Sequence, residues 1–126
     1  MTDDNRLRIE IPKEWWITHN MRLHWAQRAE RTRWLRQVAK LKARHLAPLQ
    51  EASIHAMIHS PTARGGDIDG PAPTIKALID GIVDAGVLPD DSPKHLKFLT
   101  HSRGQPTGKP GIYAITLRVS DVNPPF

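Results

Sequence analysis

Apolar and polar residues alternate strictly where the chain first becomes ordered. In residues 6–11, RLRIEI, Leu7, Ile9 and Ile11 fall on one side and Arg6, Arg8 and Glu10 on the other. Successive strand side chains point to opposite faces, so this reads as a half-buried strand, closed by Pro12, which cannot donate to a ladder. The next long pattern spans residues 21–47. Leu35, Val38 and Leu41 recur there at helical spacing beside Trp34, and Pro48 stops the helix. Thr18 or Asn20, in WWITHN, is the expected N-cap. Residues 53–60, SIHAMIHS, alternate Ile54, Ala56 and Ile58 against His55, Met57 and His59, which predicts a second strand.

Gly65, Gly66, Gly70, Pro71 and Pro73 exclude regular helix over residues 62–73. A second helix is predicted over residues 74–85, with Ile75, Leu78, Ile79, Ile82 and Val83 as its apolar stripe and Gly86 as its stop. HLKFLTHS and GIYAITLRV read as two further strands, and in the latter Tyr113, Ile115, Leu117 and Val119 share a face. The connecting RGQPTGKP is rich in turn formers and predicts a hairpin. The order strand, helix, strand, helix, strand, strand implies an α+β fold: one mixed four-stranded sheet with two main helices. A length of 126 residues fits a single domain over 1–126, with residues 1–5 and 121–126 expected to be flexible.

Composition narrows the chemistry. The chain has no Cys, which removes disulfides, thiolate metal sites and a Cys nucleophile. It suits a reducing cytoplasm, bacterial or phage-infected. The N-terminus lacks the apolar core of a signal peptide, and no apolar run approaches the roughly 20 residues of a membrane span. Neither a membrane nor a small-molecule cofactor is expected, and no glycine-rich phosphate loop suggests a nucleotide pocket. The net charge is +5, and much of it lies on the first helix. Residues 22–44 carry Arg22, Arg28, Arg31, Arg33, Arg36, Lys40, Lys42 and Arg44 against a single acid, Glu30. A solvated helix face usually mixes its signs, so this helix is a candidate grip for a phosphate backbone.

Four acids stand apart from that basic background. Asp67 and Asp69 flank Ile68 and would project together on extended backbone, while Asp90 and Asp91 follow a loop proline. Oxygen-only ligands suit Mg²⁺, and Lys76 is placed to neutralise a phosphate or a developing negative charge. Asp is also a common turn residue and PDDS a good turn sequence, so the acids alone leave both readings open. The two acidic pairs flank the second helix, whose 12 or so residues span roughly 18 Å. They meet only if residues 70–74 run back beside the helix, or if a second subunit supplies one pair. His55 and His59 lie roughly 13 Å apart along one strand, too far for a shared metal, and are expected at the surface. Trp15, Trp16 and Trp34 are expected in the core or in a dimer contact.

The run GDIDGPAPTIKALIDGIVDAGVLPDDS resembles the RusA-like family of Holliday junction resolvases. That family's pattern is Asp-x-Asp-Asn, then a Lys, then a helical Asp, then a closing Asp-Asp-Ser. Asp67 and Asp69 match the first acids, Lys76 the lysine, Asp80 the helix acid, and Asp90 with Asp91 the final pair. NMRLHWAQRAERTRWLR is similar to the family's Asn-x-x-x-His-Trp start of a basic helix. The likeness covers about residues 18–95. Gly70 replaces the family's Asn, Gly66 replaces a basic residue, with Arg64 the nearest one, and Lys76 lies further from Asp69 than is usual.

The resemblance implies a homodimeric, Mg²⁺- or Mn²⁺-dependent endodeoxyribonuclease, often of phage or prophage origin. Such enzymes resolve four-way junctions by paired nicks in DNA recombination and repair. It implies metal ligands at Asp67, Asp69 and Asp91 with Asp90, and catalysis by Lys76. Arg22, Arg28, Arg31, Arg36, Lys40 and Arg64 are the expected DNA contacts. The departures leave an alternative of the same fold: a weak or inactive protein that binds branched DNA.

Overall fold

The computed structural model describes residues 5–64, 66 and 68–122. The strands are β1 (Arg6–Pro12), β2 (Ala52–His59), β3 (Leu96–Arg103) and β4 (Ile112–Asp121). The helices are α1 (Trp25–Lys42) and α2 (Ala72–Asp84), with short 3₁₀ turns at Lys13–Trp15 and Ala43–His45. The four strands form one mixed sheet in the order β1-β4-β2-β3. β4 is antiparallel to both β1 and β2, whereas β3 runs parallel to β2. The α+β expectation and the element order therefore hold. Among the described residues no helix is long and apolar enough to cross a membrane.

The hairpin expected between β3 and β4 does not form. The unit β2-α2-β3 is a parallel crossover, which sets β3 on the outer side of β2. The chain must then cross the end of β2 to reach β4 on the opposite side. Residues 104–111 make that crossing: the Gly104 N–H donates to the Ile58 carbonyl and the Thr107 N–H to that of Ser60, both at 2.8 Å. Turn-forming residues serve this crossing as well as they would a hairpin, so their composition does not tell the two apart.

Period-2 alternation places the core on one sheet face. Leu7, Ile9 and Ile11 of β1, Ile54, Ala56 and Ile58 of β2, and Ile115, Leu117 and Val119 of β4 are buried together. Leu35 and Ala39 of α1 and Ile75, Leu78, Ile79 and Ile82 of α2 join the same cluster. Trp16 stacks on Tyr113 with centroids 4.3 Å apart, and Trp15 stacks on Trp34 at 5.1 Å. These three tryptophans thus serve packing. α1 starts later than its sequence pattern suggests. Neither Thr18 nor Asn20 caps it; His24 does, in a reciprocal box with Gln27.

The two helices approach closely at Gly81. A Cβ there would lie 2.3 Å from the Arg36 carbonyl oxygen and 2.7 Å from the Ala39 Cβ, so only glycine fits. Thr74 fixes the other end of α2. Its buried hydroxyl accepts the Ile17 N–H and donates to the Ile17 carbonyl, both at 2.8 Å. Gly86, at φ +87°, ends α2 and turns the chain back.

Candidate functional site

Lys76 occupies the exposed edge of α2, between the buried Ile75 and Ala77. Its ammonium donates to Asp80 Oδ1 at 2.8 Å and to Asp91 Oδ2 at 2.6 Å. Asp80 is there because a residue four positions on lies above Lys76 on the helix face. Asp91 is there because the chain beyond Gly86 folds back along α2. The burial of Val87 and Leu88 pins that return, as does the bond from the Leu49 N–H to the Val87 carbonyl at 2.7 Å.

The fold-back expected at residues 70–74 is thus made elsewhere. Pro71 immediately precedes α2, Pro73 lies in its first turn, and the Asp69 carbonyl accepts the Ala72 N–H at 3.1 Å. Asp69 therefore stands at the start of α2, and residues 85–91 carry Asp91 back to that helix's N-terminal half within one chain.

The adjacent acids divide. Asp91 turns to Lys76, whereas Asp90 Oδ1 accepts the Ser92 N–H at 2.8 Å and closes a local turn. Hydrogen bonds from Ser92 hold the Asp90 carboxyl below its usual range. The bonds to Asp80 and Asp91 raise the Lys76 pKa above its ordinary 10.5, against a smaller opposing effect of burial. Lys76 is therefore a fixed cation near neutrality and cannot act as a base there.

The Asp69 side chain is 93% exposed, with His101 Nδ1 3.9 Å away. Asp67 lies outside the described residues. Among the described residues, no three His, Asp or Glu side chains converge to hold a metal ion. The donor chemistry of Asp69, Asp90 and Asp91 is nonetheless all carboxylate, which fits a hard divalent cation.

The basic residues separate by what they already touch. Arg22 and Arg64 are exposed, and Arg28 and Lys40 are half-buried on α1. Arg31, an expected DNA contact, instead points its guanidinium at main-chain carbonyls: Nη1 donates to Trp16 at 2.8 Å and to Lys13 at 3.5 Å. Arg36, another, grips Asp84 through both Nε and Nη2, the latter at 2.9 Å. That pair raises the Arg36 pKa and lowers that of Asp84. Arg33, which the expected contacts omit, is exposed on the same helix.

The histidines also need correcting. His59 is 5% exposed, with Nδ1 bonded to the Gln105 carbonyl oxygen and Nε2 to Thr116 Oγ1, each at 2.8 Å. The 104–111 crossing covers it, and nothing local in the sequence announces that cover. His55 stays partly open, between Thr100 Oγ1 at 2.6 Å and Ser102 Oγ at 2.7 Å. Sequence reasoning also missed His101 beside Asp69 and Asp84 beneath Arg36. No family model and no curated protein matches the chain.

Proposed function

We propose that this chain is a Mg²⁺-dependent endodeoxyribonuclease of the RusA-like type, with Mn²⁺ an acceptable substitute. It nicks four-way and other branched DNA as a homodimer with two symmetry-related sites. The observation that carries the reading is the Lys76 ammonium held between Asp80 and Asp91, 2.8 and 2.6 Å away, beside a strongly basic helix.

Asp67, Asp69 and Asp91, with Asp90, would hold the ion, whose chemistry is to polarise the scissile phosphate and help ionise a water. Lys76 places a permanent positive charge where negative charge grows on the phosphate. Asp80 holds that ammonium in place from the next turn of α2. Arg22, Arg28 and Lys40, with Arg64, engage the backbone phosphates. Arg31 instead fixes the loop from which α1 springs.

The test compares a four-way junction with linear duplex of the same sequence, with and without Mg²⁺, and maps products on both strands. Paired symmetric nicks in the junction alone, only with Mg²⁺, are expected. Equal cutting of both substrates would remove the structure-specific reading. Tight junction binding without any cutting would leave the alternative, a branched-DNA-binding protein.

A further inference from the structure

Trp25 is 77% exposed, more than any other large apolar side chain among the described residues. The other three tryptophans are stacked in or against the core, which leaves the Trp25 indole without a packing role. It is also braced. His24 accepts the Ala26 N–H on Nδ1 at 3.2 Å, while the His24 N–H donates to Gln27 Oε1 at 3.3 Å. This box fixes the imidazole, which sits 5.5 Å from the Trp25 ring at a tilt of 33°. The indole is thus held on one side and open on the other.

The surface beside it supplies a second, independent observation. Positions 25, 28, 29, 32, 33 and 36 recur at helical spacing along one stripe of α1. They line an open groove of about 530 Å³. Its floor is kept low by Ala29, and Thr32 offers a hydroxyl. Arg28 and Arg33 carry no ion-pair partner among the described residues. At its far end Arg36 is paired with Asp84 and lies within the electrostatic reach of Asp80, the residue that holds Lys76. A flat aromatic followed by unpaired guanidiniums has the chemistry of a site for one unstacked base and its phosphates, because any base offers a π-face and every phosphate a charge.

We propose that this groove takes a single unpaired nucleotide of a DNA strand, its base on the open face of Trp25 and its phosphates on Arg28 and Arg33. The inference rests on the DNA-binding half of the function proposed above and is independent of the catalytic half. Base pairs that flank a branch point open more readily than those inside continuous duplex, so the groove would favour branch points over it.

The test titrates the full chain with an oligothymidylate and with an abasic strand of equal length, following tryptophan emission, iodide quenching and strand anisotropy. Thymine is expected to quench emission and shield the indole from iodide, whereas the abasic strand does neither. Trp25→Ala should weaken oligothymidylate binding roughly 5- to 150-fold, the span that stacking of one base confers, and leave abasic binding unchanged. Trp25→Phe should keep affinity within a few-fold of wild type. Equal affinity of the wild type for the two strands, or undiminished oligothymidylate binding by Trp25→Ala, would overturn the proposal. So would a change from dimer to monomer in Trp25→Ala sedimentation, which would assign Trp25 to a contact between copies. Junction cleavage is scored in parallel. Base-dependent quenching without cleavage sinks the nuclease reading and supports this groove, and cleavage without base dependence does the reverse.

Discussion

Lys76 holds two carboxylates on one ammonium, and each of its partners tests a different part of the site. Lys76→Met should cut Mg²⁺-dependent nicking by about 10²–10³-fold, as loss of one charge-stabilising group does elsewhere. Melting should barely move, because exposed ion pairs contribute only about 0.2–1 kcal/mol. Asp90→Asn keeps an acceptor for the Ser92 N–H, so its turn should survive with only a small loss of stability near neutrality, as thermal unfolding will show. Asp91→Asn removes one of the two carboxylate charges that raise the Lys76 pKa and leaves only a neutral acceptor, and a fall in that pKa is readable from the lysine Nζ resonances. The sign for stability follows from the direction of the shift. With its folded pKa above 10.5, Lys76 contributes stability that is present below 10.5 and fades as pH rises through the folded value. Asp84 behaves oppositely, since Arg36 lowers its pKa from 3.8. Its contribution is present above 3.8 and lost as pH falls through the folded value. Asp84→Asn should therefore be destabilised near neutrality, by less than about 1 kcal/mol for so exposed a pair, and converge with wild type in strong acid. A difference that widens on acidification would mean that the pair is not what the mutation removed. Lys76, Asp90 and Asp91 stood out in the sequence as candidates. Their partners were less legible: Asp80 at i+4 is a local relation, but Arg36 and Asp84 stand 48 positions apart in sequence.

Local periodicity reported the elements well and their neighbours poorly. The alternation in β1 and β4 names the buried face correctly, because each strand has one face on the core. The stripe of α2 likewise names Ile75, Leu78, Ile79 and Ile82. Strand order is a long-range property, and the parallel pairing of β2 with β3 left no local mark that a hairpin would lack. His59 shows the same limit. Alternation puts it on the face away from the helices, and only the crossing of residues 104–111 buries it. Closure of the helical layer is tested at Gly81, where α1 and α2 nearly touch. Gly81→Ala adds a methyl against the Arg36 carbonyl and the Ala39 side chain. The helices must separate, at a cost of about 1–3 kcal/mol. That outweighs the gain in helix propensity of up to about 1 kcal/mol, so urea unfolding should show net destabilisation. A more stable Gly81→Ala protein would mean that α1 and α2 have room to spare.

Charge is the property that only the whole molecule displays. The net +5 and the run of basic residues on α1 carry the proposal of a polyanion partner, but neither says which cations are free. The fold separates them. Arg28 is half-buried with no ion-pair partner among the described residues, Lys40 is half-exposed on the same helix, Arg36 is neutralised by Asp84, and Arg31 is turned onto the Trp16 carbonyl. Each phosphate that a cation neutralises releases counterions, so on duplex DNA the slope of log affinity against log salt changes by roughly 0.9 for every phosphate left without its cation. Arg28→Gln and Lys40→Gln should each flatten the junction-binding slope by about that much, with melting temperatures close to wild type. Arg31→Gln should leave the slope alone and lower the melting temperature, because it leaves the Trp16 carbonyl without its donor where the chain approaches α1. Arg36→Gln should change the slope little, since its charge is already balanced at short range. Binding isotherms at several salt concentrations for the four variants decide the matter. If all four flatten the slope equally, the ion pair and the carbonyl bonds do not hold in solution, and the whole basic face of α1 is available to phosphate. If none does, DNA meets another face of the molecule, and the basic open side of the sheet around Arg8 and Arg118 becomes the surface to mutate next.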